Sequence, residues 1–302
     1  MILKERIESV ELQIMRYLMN RVNLTEKEKY HYLNLEKGFE GEIKFDQLIE
    51  NLQEEKYIIN DLLLEVNNSF FQIDTIIILQ GVIHFFEIKN YEGDYYLDSE
   101  KLYSVKTSRE YKNPIIQLKR TETLFRQLLQ NLNQNFLVEG HVLFINPEFT
   151  LYQAPMDQPI ILPTQIKRFF QDIKKMPSKL HDGHRKLAQQ LISLHQPNYP
   201  FTSIPSFNYE QVRKGITCVN CNSFSLLTKG WKCICSECGQ EELISKAVIR
   251  SVEEFKLLFP TEKITTNAIH KWCKIVQSKQ RIGYILGKHF KKVGNHRWSY
   301  YE

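Results

Sequence analysis

The stretch Phe70–Tyr91 constrains this chain most. Two runs of β-branched and aromatic residues flank Gln80-Gly81, which predicts a β-hairpin. Asp74 interrupts the first run. Glu87 and Lys89 interrupt the second, either side of Ile88. The two-residue strand period puts Glu87 and Lys89 on one face and Ile88 on the other. Charge within apolar strands is costly unless it is paired or metal-bound. The trio therefore predicts either a buried carboxylate–lysine pair or a site where two carboxylates and a lysine share a divalent ion and an attacking water. Spacing alone leaves both readings open.

Around this hairpin the pattern alternates between helix and strand. Residues 2–20 read as a helix, with Ile7, Val10, Ile14, Tyr17 and Leu18 on one stripe. Tyr30–Asn34 reads as a linker and Gly38–Leu52 as a second helix. Glu42, preceded by Gly41, falls near the buried side of that helix, where an acid also suits the N-terminal dipole. Tyr57–Val66 reads as a strand interrupted by Asp61, and Asn67-Asn68-Ser69 as a turn, so three strands form an antiparallel meander. Residues 90–106 read as loops with a short strand near Tyr95-Tyr96-Leu97. Asn113-Pro114 opens a helix to about Leu132. Leu137–Ile145 is a strand and Phe149–Tyr152 a short one. Pro155, Pro159 and Pro163 predict a rigid loop, 164–174 and 182–194 helices, and 196–211 a linker.

At 302 residues the chain holds two or three modules. No apolar run reaches membrane-spanning length. Met1-Ile-Leu-Lys-Glu-Arg leads straight into further charges, so no export leader is expected and the location is expected to be cytoplasmic. The formal charge of +5 is compatible with a polyanionic partner without requiring one.

Five of the six cysteines lie between Cys218 and Cys238. Clustering of this kind favours metal ligation over disulfides. Cys218 with Cys221, and Cys235 with Cys238, form two knuckles suited to one tetrahedral Zn²⁺ that staples a small hairpin about Thr228-Lys229-Gly230. Cys233 offers an alternative to Cys235, but Cys235-Ser-Glu-Cys238-Gly239 has the compact knuckle form. From 251 to 302 there are ten Lys/Arg against four Asp/Glu. Helices are expected at 252–258, capped by Ser251, at 266–277 and at 279–288, followed by an aromatic hairpin about Gly-Asn. This region reads as a nucleic-acid reader or as a basic packing module. Lys271, Lys274, Lys288, Lys291, Lys292 and Arg297 are its phosphate-contact candidates.

Four sequence pieces together resemble the nuclease-related domain family: Gly41-Glu42-x-x-Phe45, Gln72-Ile73-Asp74, Phe86-Glu87-Ile88-Lys89-Asn90 with Gly93 after it, and Asn113-Pro114-x-x-Gln117. The resemblance covers roughly 36–150. The family is similar to the restriction-endonuclease-like superfamily, which implies an α/β fold with an αβββαβ core and a mixed central sheet. It also implies catalytic roles for Glu42, Asp74, Glu87, Lys89 and Gln117. Asp74, Glu87 and the backbone carbonyl of Ile88 would ligate Mg²⁺ or Mn²⁺. The implied activity is metal-dependent hydrolysis of phosphodiesters, in DNA; a non-catalytic DNA-binding or scaffold role is the competing class. The cysteine module looks like a zinc ribbon. The expected organisation is an N-terminal helical extension (1–35), the nuclease-related domain (36–155), a helical region and linker (156–211), a zinc-ribbon-like domain (212–250) and a basic helical domain with a C-terminal hairpin (251–302).

Overall fold

The computed structural model describes all residues except 51–54, 178, 198–201 and 295–298. The chain divides into two compact units, one of residues 1–8 and 34–202, the other of 9–33 and 203–302. Among the described residues no helix is long and apolar enough to cross a membrane.

Strand β1 (Ile2–Lys4) and helix α1 (Val10–Arg21) replace the single helix expected over 2–20. Ile2 and Lys4 pair in parallel with Ile58 and Ile59. The helix begins only after Ser9, whose side chain accepts from the Leu12 amide. Helix α2 (Glu26–Glu50) runs through Tyr30–Asn34, which is therefore no linker. A capping box sets its start. The Thr25 amide donates to Glu28 Oε2 at 2.7 Å and the Glu28 amide to Thr25 Oγ1 at 3.3 Å. No breaker follows until Gly38, so the helix continues.

The expected meander forms from β2 (Tyr57–Val66), β3 (Ser69–Ile78) and β4 (Val82–Lys89). Asn67 and Asn68 turn the chain with φ of 49° and 58°, a conformation asparagine tolerates. Strands β5 (Gly93–Asp98), β6 (Lys101–Ser104) and β7 (Glu110–Tyr111) make a small sheet where loops with one strand are expected. Helix α3 (Pro114–Asn131) is capped by the Asn113 side chain. Then come β8 (Leu137–Phe144), parallel to β4, and β9 (Phe149–Tyr152), parallel to β5. Inside the proline loop, β10 (Ile160–Ile161) extends the sheet beside β8; two residues are too few to show a period. Helices α4 (Ile166–Lys175) and α5 (Asp182–Ser193) follow.

The main sheet is mixed, in the order β1-β2-β3-β4-β8-β10. One face buries Ile83, Phe85, Val142 and Phe144 with Leu118 and Phe125 of α3 and Leu187 of α5. The other buries Phe86, Ile88 and Leu143 with Phe45 and Ile49 of α2 and Phe170 of α4. This is the expected αβββαβ core, with period-2 alternation deciding which helix each strand residue meets.

The second unit contains β11 (Leu226–Lys229), β12 (Lys232–Cys235) and β13 (Glu241–Leu243) in an antiparallel sheet. Helices α6 (Ile244–Leu258), α7 (Thr266–Cys273) and α8 (Lys279–His289) and the strand pair β14 (Lys292–Val293) and β15 (Tyr300–Tyr301) complete it. Ser251 is not a cap. It is buried within α6, and its Oγ donates to the Ala247 carbonyl at 2.8 Å; Ile244, Ala247 and Val248 carry the buried stripe upstream of it, and Val252 and Phe255 downstream. Helix α7 stops before 277 because Lys274 takes φ 58°, so Lys271 and Lys274 do not share a helical face. At the core of this unit, Arg21 donates twice to Glu254 at 2.6 Å and lies 4.3 Å from the Trp272 ring centroid.

Candidate active site and thiolate cluster

The β3–β4 ladder ends at Thr75↔Phe86. Asp74 and Glu87 are the next residues beyond that end. The same level carries a break on the other side of β3, where the β2–β3 register passes from Asn60↔Thr75 to Leu62↔Ile73 without an Asp61–Asp74 pair. Asp61 has φ 52°. The pleat reverses there. On the α3 side of the sheet, Ile59 is followed by Leu62 and Leu64, and Ile73 by Ile76 and Ile78. Two acids thus sit where alternation fails and the ladders are interrupted.

Each carboxylate has partners that hold it. Asp74 Oδ2 accepts from the Ile88 amide at 2.7 Å. Glu87 Oε1 accepts from Lys89 Nζ and, at 2.7 Å, from Gln117 Nε2 on α3. Glu42 Oε2 accepts from Arg6 Nη1 at 2.9 Å. The Arg6 side chain is almost fully buried and also reaches Asp46 at 2.7 Å, Asp61 at 2.7 Å and Thr75 Oγ1 at 2.8 Å.

Burial and then the Asp74 charge push Glu42 up to about 8, against the pull of Arg6. Burial and then Asp74 likewise push Glu87 up to about 7, against Lys89. Burial would lower Lys89, but Glu87 and Asp74 outweigh it and hold the ammonium above its ordinary range. Asp61 is raised by burial, with Arg6 opposing. Carboxylates therefore outnumber the two cations, Arg6 and Lys89, that pair with them here, and oxygen donors of this kind are those that hard divalent cations take. The oxygens of Glu42, Asp74 and Glu87 do not all lie within 4.8 Å of one another.

Glu42, Asp74, Glu87, Lys89 and Gln117 thus form one electrostatically linked group. Arg6, Asp46, Asp61 and Thr75 were not among the sequence-derived candidates. Asp61 carried a signal, being a charge inside an apolar strand; Arg6 carried none, because its charge is unremarkable among the ionic residues before α1.

In the second unit, Cys218, Cys221, Cys235 and Cys238 bring their sulfurs within 4.8 Å of one another. The Cys218–Cys238 and Cys221–Cys235 separations are both 3.6 Å. A tetrahedral zinc with Zn–S bonds of about 2.3 Å has sulfur–sulfur edges of about 3.8 Å, so the set fits Zn²⁺. Cys233 lies outside it, buried, with its thiol pushed up to about 11 chiefly by that burial. Lys271, Lys274, Lys288, Lys291 and Lys292 are exposed; Arg297 lies outside the described residues. Among the described residues, the other grouping of at least three metal-capable side chains is His84, Glu139 and His141. Burial pushes these imidazoles down, His84 to about 4 and His141 to about 3.

Residues 37–145 match the family model described as nuclease-related domain. No curated protein and no solved structure matches the chain. The matched span holds Glu42, Asp74, Glu87, Lys89 and Gln117 together with the strands and helix that present them, and so residues 37–145 are similar to the nuclease-related domain family.

Proposed function

We propose that the chain hydrolyses phosphodiester bonds of nucleic acid, DNA, in a reaction dependent on Mg²⁺ or Mn²⁺. One observation carries the reading: just past the end of the β3–β4 ladder the Ile88 amide donates to Asp74 Oδ2, while Lys89 Nζ sits on the carboxylate of the neighbouring Glu87. Asp74, Glu87 and the Ile88 carbonyl would hold the ion, which when bound polarises the scissile phosphate and acidifies water. Held on the Glu87 carboxylate, Lys89 would orient or deprotonate the attacking water, or donate to the charge that builds on the phosphate. Gln117 fixes the Glu87 carboxylate from α3. Glu42 shapes the pocket charge through Arg6. The four thiolates hold a structural Zn²⁺, and the exposed lysines from Lys271 to Lys292 contact phosphates.

The test is incubation of purified protein with duplex and single-stranded DNA and RNA, with Mg²⁺ or Mn²⁺. Cleavage is expected for the parent and a loss of at least about 100-fold for Lys89→Ala, as for removal of a group that stabilises transition-state charge. Equal cleavage by parent and variant overturns the reading. A second reading, nucleic-acid binding without catalysis, is favoured by Arg6, whose guanidinium already occupies Glu42 and Asp61. Metal-independent binding with no cleavage of any substrate selects it.

A further inference from the structure

We infer that His84, Glu139 and His141 form a second metal site in this unit, of the two-histidine, one-carboxylate kind, taking Zn²⁺ or a similar first-row cation. It is independent of the nuclease reading. The parallel β4–β8 register sets His84 beside Glu139 and Phe86 beside His141. The strand period then puts all three donors on one face of the sheet. That face is the one packed on α2 and α4, whereas Glu87 faces α3. The three donors also stand toward the N-terminal ends of β4 and β8, away from Lys89.

Distances fit the chemistry. His84 Nδ1 lies 3.0 Å from His141 Nε2 and 3.5 Å from Glu139 Oε2, and all three ligand atoms fall within 4.8 Å of one another. Tetrahedral bonds of about 2.0–2.1 Å give ligand–ligand edges of about 3.3–3.4 Å, between the two observed separations. A His84–His141 hydrogen bond accounts for the first distance only. It leaves Glu139 converging on the same Nδ1, where one proton cannot serve two acceptors fully. A cation accepts all three lone pairs. Two imidazoles exclude Mg²⁺ and Ca²⁺, which take oxygen ligands, and select the zinc class.

The surroundings define how the site works. The Phe169 ring lies edge-on to His141 with centroids 4.8 Å apart, and the Phe86 ring lies 5.3 Å from it, so aromatic walls fix that imidazole. The Glu139 side chain is 45% exposed and His84 only 1%, so an ion reaches the buried nitrogens past the carboxylate. His84 Nε2 is buried without a hydrogen-bond partner. A hydrogen bond to that second ring nitrogen is worth roughly 10–100-fold in affinity, and His84 lacks it. The site is therefore weaker than the four-thiolate cluster and exchanges its ion while that cluster keeps its own. When filled, it cross-links β4 to β8.

The experiment uses the full chain with its zinc retained. Co²⁺ is titrated in excess Mg²⁺, which oxygen ligands accept and imidazoles do not, and visible absorption and calorimetry are followed. The parent should take up one Co²⁺ with the d–d bands of nitrogen and oxygen ligands and no growth of thiolate charge transfer. His141→Ala and Glu139→Gln should each weaken that uptake at least 10-fold while zinc content and circular dichroism stay unchanged. Glu139→Gln, at an exposed position, keeps the test intact if His141→Ala fails to fold. Uptake by Glu139→Gln equal to the parent, or no saturable Co²⁺ uptake by the parent, overturns the site.

Discussion

Burial and the Asp74 charge act on both Glu87 and Glu42. Both are raised in the folded chain, to about 7 and about 8, from an ordinary glutamate value near 4.5. The folded state therefore binds protons that the unfolded state releases, and stability falls as pH rises. The contribution is fully present below about pH 4.5 and is lost as pH passes through about 7–8. In buffer free of added divalent ions, the melting temperature should fall between pH 5 and pH 8, and Glu87→Gln should flatten that fall. Mn²⁺ should stabilise the chain more at pH 8 than at pH 6, because at the lower pH it must displace protons. Melting curves at both pH values check the sign; equal Mn²⁺ shifts would place the ion elsewhere.

At the level of the element, β8 depends on a residue that has no side chain. Gly140 lies directly beside Phe85 in the β4–β8 register, and a Cβ there would come within 2.3 Å of the Phe85 ring. Phe85 is buried against Phe125 and has nowhere to retreat. Gly140→Ala should cost about 1–3 kcal/mol, the range for overpacking a closed core, measurable by urea denaturation. In the thiolate hairpin, Cys235→Ser should release the zinc and Cys233→Ser should keep most of it; elemental analysis showing the reverse would move the ligand to Cys233. Much of this was legible beforehand. The meander announced itself through β-branched runs and an Asn-Asn turn, and the cysteine knuckles through spacing alone. What escaped was set by contacts distant in sequence. Nothing in Ile2-Leu-Lys marks it as a strand until Ile58 is beside it. The pair Ile160–Ile161 becomes a strand only because β8 offers an edge. The start of α6 hid because its buried stripe crosses an expected domain boundary. Within the site, charge in apolar strands revealed Asp74, Glu87 and Lys89, while Arg6 is explained only by the acids that converge on it.

For the whole molecule, chemistry and affinity are expected to separate. The pocket charges lie in the first unit, whereas Lys271, Lys288 and Lys292 are exposed in the second. If those three contact phosphates, replacing all of them with alanine should reduce the log–log salt slope of duplex binding by about 2.7, roughly 0.9 per contact. Cleavage at saturating protein should persist. An unchanged slope would show that these lysines meet only solvent. The buried Arg21–Glu254 pair has a consequence of another kind. Its members are 233 residues apart. A ribosome adding about 5–20 residues per second needs roughly 10–50 s to make that span. Throughout that interval Arg21 is synthesised but has no counter-ion, and α1 has no core to join. Residues 34–202, by contrast, form nearly all of the first unit and emerge as one stretch. Synthesis thus imposes an order: the unit bearing the acidic pocket can close first, while the segment made before it waits, its arginine still hydrated, for the last hundred residues.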